Sequence, residues 1–156
     1  MIRLVPMTRA EFQTFEEHDI REFAAEEVRA GFWTEAESIE KARRAHAHLL
    51  PDGLATQDHF FYSIQESEHG AAVGVLWLMV SRDSAKPSGF IYDIEIHEPY
   101  RRQGYARAAM LELERLARQM GLRQLGLHVF AHNTSARALY ESLGYSVGSL
   151  NLLKDL

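Results

Sequence analysis

Apolar and polar positions change period several times along the chain, and each change predicts an element. Residues 2–5 form a short apolar run that reads as a strand. Thr8 with Glu11 has the spacing of a capping box and opens a helix running to about Ala30, where Gly31 breaks it. Thr34 with Glu37 repeats the pattern and opens a second helix to about Leu50, closed by the turn signal Pro51-Asp52-Gly53. The period then drops to two. Residues 60–66 and 72–81 are rich in β-branched and aromatic side chains and read as paired strands, with His69-Gly70 in the turn between them. Gly74, inside the second strand, predicts a bulge or a close backbone approach. Residues 84–89 form another turn, and residues 90–97 a third strand. Strict alternation puts Phe90, Tyr92, Ile94 and Ile96 on one face of it and Asp93, Glu95 and His97 on the other. A polar face on a mid-sheet strand points to a cleft.

Residues 106–120 carry the strongest helical pattern, with Ala109, Met110, Leu113, Leu116, Ala117 and Met120 on one face and Gly121 as the stop. Residues 124–130 alternate as a strand. Ala136, Leu139, Tyr140 and Leu143 mark a short helix stopped by Gly144, and residues 145–153 read as a last strand. The predicted order is β-α-α-β-β-β-α-β-α-β. It describes an α/β (α+β) fold, one domain over residues 1–156 with a mixed central sheet.

Composition narrows the function. A chain of 156 residues buries a core without staples, and a net charge of -5 argues against nucleic acid or an anionic membrane as partner. The absence of cysteine removes disulfides, thiolate metal sites and cysteine nucleophiles. The first residues lack the apolar run of a signal peptide, and the longest apolar run, residues 73–80, is too short to span a bilayer, so a soluble cytoplasmic protein is expected. His46 and His48 lie two apart on a helix and face different ways, while His128 and His132 lack a third ligand, so no metal is expected.

The segment from Tyr92 to Arg107 carries the chemistry. A strand ends, a basic loop with a central glycine follows, and a strong helix begins. The first N–H groups of a helix lack intrahelical partners and the macrodipole is positive there. Arg101, Arg102 and Arg107 add charge, and Gly104 lets the backbone curl, which together make a site for a phosphate or pyrophosphate. The competing reading is a solvated basic helix start. A P-loop would need Gly-Lys-Ser/Thr, and a dinucleotide fingerprint three glycines; neither is present. Downstream, Asn133 stands where strand gives way to helix, either as an N-cap or as a ligand group. Tyr140 sits on an apolar stripe, either as core or as a phenol able to donate a proton.

At these residues the chain resembles the GNAT superfamily of acetyl-CoA-dependent N-acetyltransferases. Arg101-Arg102-Gln103-Gly104-Tyr105-Ala106 matches that family's Gln/Arg-x-x-Gly-x-Gly/Ala loop. Asn133, Ala136, Leu139, Tyr140, Gly144 and Tyr145 match its later signature. More loosely, residues 50–56, 92–96 and 127–133 are similar to the YycN-like bacterial acetyltransferases. The resemblance implies an enzyme that moves an acetyl group from acetyl-CoA to a primary amine by direct attack in a ternary complex. It implies that backbone groups of Ile94, Glu95 and Ile96 pair with the pantetheine arm. The amides from Arg102 to Arg107, through Gln103, Gly104, Tyr105 and Ala106, would hold the pyrophosphate. Asn133, near Ala136, would contact the pantetheine amides, and Tyr140 would protonate the departing thiolate.

The general base is left open between Glu95, on the polar strand face, His128, and a water chain with no dedicated base. The expected acceptor is a small-molecule or peptide amine, and the expected state a monomer or homodimer. A non-catalytic acyl-CoA sensor or an interaction domain on the same fold is the alternative.

Overall fold

A computed structural model describes residues 1–67 and 70–156. His69 of the predicted turn lies outside the described residues. The elements are β1 (Ile2–Pro6), α1 (Arg9–Arg29), α2 (Glu35–Leu49), β2 (His59–Glu66), β3 (Ala72–Ser81), β4 (Ser88–Ile96), α3 (Tyr105–Gln119), β5 (Gln124–Leu127) and α4 (Thr134–Ser142), with 3-10 turns at Gly53–Ala55 and Glu98–Tyr100. The strands form one mixed α/β sheet in the order β1-β2-β3-β4-β5, with β1 to β4 antiparallel. Two compact units divide the chain, residues 1–126 and residues 127–156.

Local chemistry sets the helix starts. The Thr8 amide donates to Glu11 Oε2 at 2.7 Å and the Glu11 amide to Thr8 Oγ1 at 3.2 Å, which closes the predicted capping box. Glu37 Oε1 accepts from the Thr34 amide at 3.1 Å at the head of α2. Gly31 takes a φ of +83° just past α1, a conformation that costs other residues.

Within the first unit the sheet is closed on both faces. Phe61 and Trp77 are direct cross-strand partners, and Phe12 and Phe15 of α1 join them in an aromatic core with Met7 and Leu50. Each ring so buried contributes roughly 1.5–3 kcal/mol. Ile20, Ala24 and Ala42 seal α1 against α2. On the opposite face Ile64, Leu76 and Leu78 have no exposed surface. The helix α3, buried at Ala109, Met110, Leu113 and Ala117, packs along β1 and β4.

Two irregularities shape β3 and β4. The β2–β3 register shifts where Ile64 pairs Gly74 and Gln65 pairs Ala72. A Cβ on Gly74 would lie 2.3 Å from the Glu95 carbonyl oxygen, so Gly74 serves both the bulge and the close approach expected of it. The β3–β4 register shifts as well: Trp77 pairs Asp93, but Leu78 pairs Ile91, which leaves Tyr92 as the extra residue.

That second bulge corrects the strict alternation expected of β4. Directly paired residues share a face, so Phe90 lies with Met79, Asp93 with Trp77 and Glu95 with Val75, while Ile91 and Ile94 lie with Leu78 and Leu76. Tyr92 stacks on Trp77 at 4.7 Å between centroids, so it joins Phe90, Asp93 and Glu95 rather than the isoleucines.

In the second unit α4 is present, but residues 145–153 form no strand. This corrects the last element of the predicted order. Val147, Leu150, Leu152 and Leu153 are all exposed. An alternating pattern makes a strand only when a neighbour takes its backbone hydrogen bonds, and no ladder partner takes this segment. The strand predicted over residues 124–130 also stops at Leu127; a turn begins at Phe130, whose carbonyl accepts from the Asn133 amide at 3.0 Å.

Candidate active site

The loop between β4 and α3 has the conformation of an anion receptor. Arg102 takes a φ of +64° and Gly104, the N-cap of α3, a φ of +84°. Left-handed residues of this kind turn successive N–H groups toward one side, forming a nest. The amides of Arg102, Gln103, Gly104, Tyr105 and Ala106 have no hydrogen-bond acceptor among the described residues. Residues 101–104 are exposed, and no acidic side chain sits in the first turn of α3. A Cβ on Gly104 would meet no atom within 4 Å, so the concavity above it is open. Five donors, a helix N-terminus and basic side chains fit a diphosphate.

Arg101 folds back onto β4: its Nε donates to the Ile96 carbonyl at 2.8 Å and its Nη2 lies 3.5 Å from Glu95 Oε1. It braces the strand rather than the loop. Gln103 Nε2 donates to the Pro99 carbonyl at 3.2 Å, and the Tyr105 hydroxyl donates to Glu66. These bonds hold the loop while leaving its amides open.

On β4, the face shared with Trp77 looks toward α1. Glu95 Oε2 lies 3.0 Å from His18 Nε2. Asp93 has no side-chain hydrogen bond or ion pair among the described residues, and it is partly buried. Burial, followed by the charges of Asp19 and Glu95, pushes its carboxyl up to about 7; His18 pulls the other way and Glu26 adds to the rise. Burial likewise raises Glu26. Deeper in, buried His46 lies with Nε2 3.1 Å from Glu16 Oε2 and Nδ1 3.4 Å from Asp19 Oδ2, edge-on to Trp77. Beside the carboxylates runs an aromatic row, His59, Trp77, Tyr92 and Phe90. The Trp77 Nε1–H donates to His59 Nδ1 at 3.0 Å, and burial lowers the His59 ring below its usual value. The result is an acidic, partly dehydrated patch between β4 and α1, bordered by aromatic rings.

Sequence reasoning pointed at Glu95 and set Asp93 on the same polar face, but it missed His18, Asp19 and His46. One signal was available: Asp19 and Glu26 are seven apart on α1 and so share a helix face. Glu37 caps α2 as its spacing from Thr34 predicts, and it also pairs with Lys41 at 3.0 Å. Of the aromatic residues in the first half, Phe61 and Tyr62 are core, Trp33 packs on Phe23, and Phe32 is exposed.

The second unit holds the remaining candidates. Asn133 is the N-cap of α4, its Oδ1 accepting from the Ala136 amide at 3.3 Å. Tyr140 is partly buried, with its ring 6.0 Å from that of Tyr145. His128 lies just past β5, in edge contact with Phe130.

A β4 strand with a polar face, a nest at the following helix and this element order define an N-acetyltransferase fold. Residues 12–145 match the sequence profile of the Acetyltransferase (GNAT) family, and the chain belongs to that family. It is 38% identical to the uncharacterized N-acetyltransferase YycN of Bacillus subtilis (strain 168) over 155 residues, 99% of each chain. The crystal structure of YycN superposes with a TM-score of 0.91, covering 100% of this chain and 99% of that one. The chain is also 35% identical over 153 residues to the uncharacterized N-acetyltransferase YdgE of the same organism, covering 98% of this chain and 97% of YdgE. It is 29% identical over 110 residues to the ribosomal protein bS18-alanine N-acetyltransferase of Escherichia coli (strain K12), covering 69% of this chain and 72% of that one.

Proposed function

We propose that the protein transfers an acetyl group from acetyl-CoA to a primary amine, by direct attack of the amine on the thioester. The observation that carries this reading is the nest from Arg102 to Ala106, with five open amides at the head of α3. Those amides and the Arg102 and Arg107 side chains would receive the pyrophosphate. Backbone groups of Ile94, Glu95 and Ile96 would take the pantetheine arm. The Ile96 carbonyl already accepts from Arg101, and its second lone pair leaves room for another donor. Asn133, beside Ala136, would meet the pantetheine amides.

The chemistry needs an amine without its extra proton, a polarised carbonyl and a protonated leaving group. A backbone N–H of β4 would stabilise the oxyanion. Tyr140 would give its proton to the thiolate, and Glu95 or His128 would serve as the base. The cluster of carboxylates Asp19, Glu26, Asp93 and Glu95 favours a cationic acceptor, either a small amine or a peptide amine. The bS18-alanine N-acetyltransferase among the relatives makes peptide N-termini a class to include.

Thiol release from acetyl-CoA, followed across a panel of small primary amines, lysine peptides and free peptide N-termini, tests the proposal. Turnover with at least one acceptor class is expected. Tight acetyl-CoA binding with no turnover on any of them would make the protein an acyl-CoA sensor instead.

A further inference from the structure

We infer that Asp93 is the general base of this acetyl transfer, and that Glu95 acts through it instead of abstracting the proton itself. The inference rests on the acetyltransferase reading above.

The bulge at Tyr92 carries the first part of the argument. In a regular strand Asp93 and Tyr92 would point to opposite faces. The extra residue brings Asp93 beside Trp77, on the face that holds Glu95, Tyr92 and Phe90. Asp93 and Glu95, two residues apart on one face, are joined there by Tyr92 and Phe90 through the bulge, and the surroundings of the two carboxylates differ. Both oxygens of Glu95 are engaged, Oε2 with His18 Nε2 at 3.0 Å and Oε1 with Arg101 Nη2 at 3.5 Å. Asp93 has no such partner among the described residues.

A base must have a lone pair free to meet the substrate's N–H, and it works best when its affinity for protons matches the operating pH. Asp93 meets both conditions. Burial and the nearby Asp19, Glu95 and Glu26 push it up to about 7, against the opposing His18. From α2, His46 packs edge-on to Trp77 and lies nearest Glu16 and Asp19, at 3.1 and 3.4 Å. A pair of titratable groups driven apart by their environments is the usual mark of divided roles.

The bound ammonium gives one proton to the Asp93 carboxylate, and the neutral nitrogen attacks the thioester carbonyl carbon. The C–S bond of the tetrahedral adduct then breaks. The second nitrogen proton ends on the departing sulfur, relayed by the thiolate's acid, and Asp93 releases the first proton to water. One amide and one thiol form for each amine and thioester consumed.

The test is the pH profile of kcat/KM for the full chain with its best amine. The wild type is expected to lose activity as pH falls through about 7. Asp93→Asn is expected to lower kcat/KM by roughly 10²–10⁴-fold and to erase that limb, with residual rate climbing only toward the amine's own pKa. Asp93→Glu should restore part of the limb. Glu95→Gln should keep the limb at reduced rate and move it to lower pH, because a neighbouring negative charge is gone. Calorimetry with acetyl-CoA should give the same affinity for Asp93→Asn as for wild type, which separates lost chemistry from lost folding. Retention of the limb in Asp93→Asn, or its loss in Glu95→Gln or His128→Asn instead, would overturn the assignment to Asp93. No acetyl-CoA binding by the wild type would overturn the acetyltransferase reading beneath it.

Discussion

Asp93 links the residue scale to both stability and chemistry. Its folded carboxyl titrates at about 7, against an ordinary 3.8, chiefly because the fold dehydrates it. Between those values the folded state holds the proton and the unfolded state does not, so stability falls as pH climbs through the window. Above about 7 the full cost is present. Asp93→Asn removes that cost, and the variant should be more stable than wild type by roughly 1–3 kcal/mol at pH 8, with the gain shrinking toward pH 5. Urea unfolding at the two pH values checks the difference between the chains, in which other carboxylates cancel. The candidate site was half legible in the letters. Alternation marked Asp93 and Glu95 as polar strand positions, but nothing local announces the bulge at Tyr92, which has no Gly or Pro beside it. Nor does spacing tell that His18, 77 positions before Glu95, will meet it.

At the scale of elements, caps and turns were readable because their causes lie within four residues. The Thr8–Glu11 box and the Gly31 stop formed where their side chains required. Thr8→Ala should cost about 1 kcal/mol in a chemical melt. The Thr8 amide, which alanine keeps, holds the Glu11 carboxyl below its ordinary range, so this other arm of the box contributes stability above the unfolded pKa that is lost as pH falls toward the lowered folded value. Gly74 makes a sharper prediction. A Cβ there would press 2.3 Å from the Glu95 carbonyl and 3.1 Å from Ile96 Cα, both backbone. Gly74→Ala should therefore destabilise by roughly 2–4 kcal/mol and, by displacing β4, reduce turnover in the molecules that still fold. The last predicted strand failed for the opposite reason. A strand's stability lies in its partner, and the alternation of residues 145–153 says nothing about whether a neighbour is there.

For the molecule as a whole, fold class and family followed from the order of elements and from two motifs, because both are properties of sequence separation. The acceptor did not, because a substrate is recognised by side chains gathered from positions far apart in sequence. What the account needs is that the β4–α3 loop receives the diphosphate of a coenzyme A thioester. Gly104→Val tests this claim: its Cβ meets no protein atom within 4 Å, and the left-handed backbone costs the folded state roughly 1–3 kcal/mol. Added bulk and lost nest geometry would nonetheless fall where the phosphates bind. The decisive measurement is isothermal titration of acetyl-CoA into the wild-type chain and into Gly104→Val, with the variant's fold checked by circular dichroism. Saturable one-to-one binding to the wild type, weakened at least tenfold in the folded variant, is the predicted result. Absence of binding to the wild type, or equal affinity in both chains, would contradict the account.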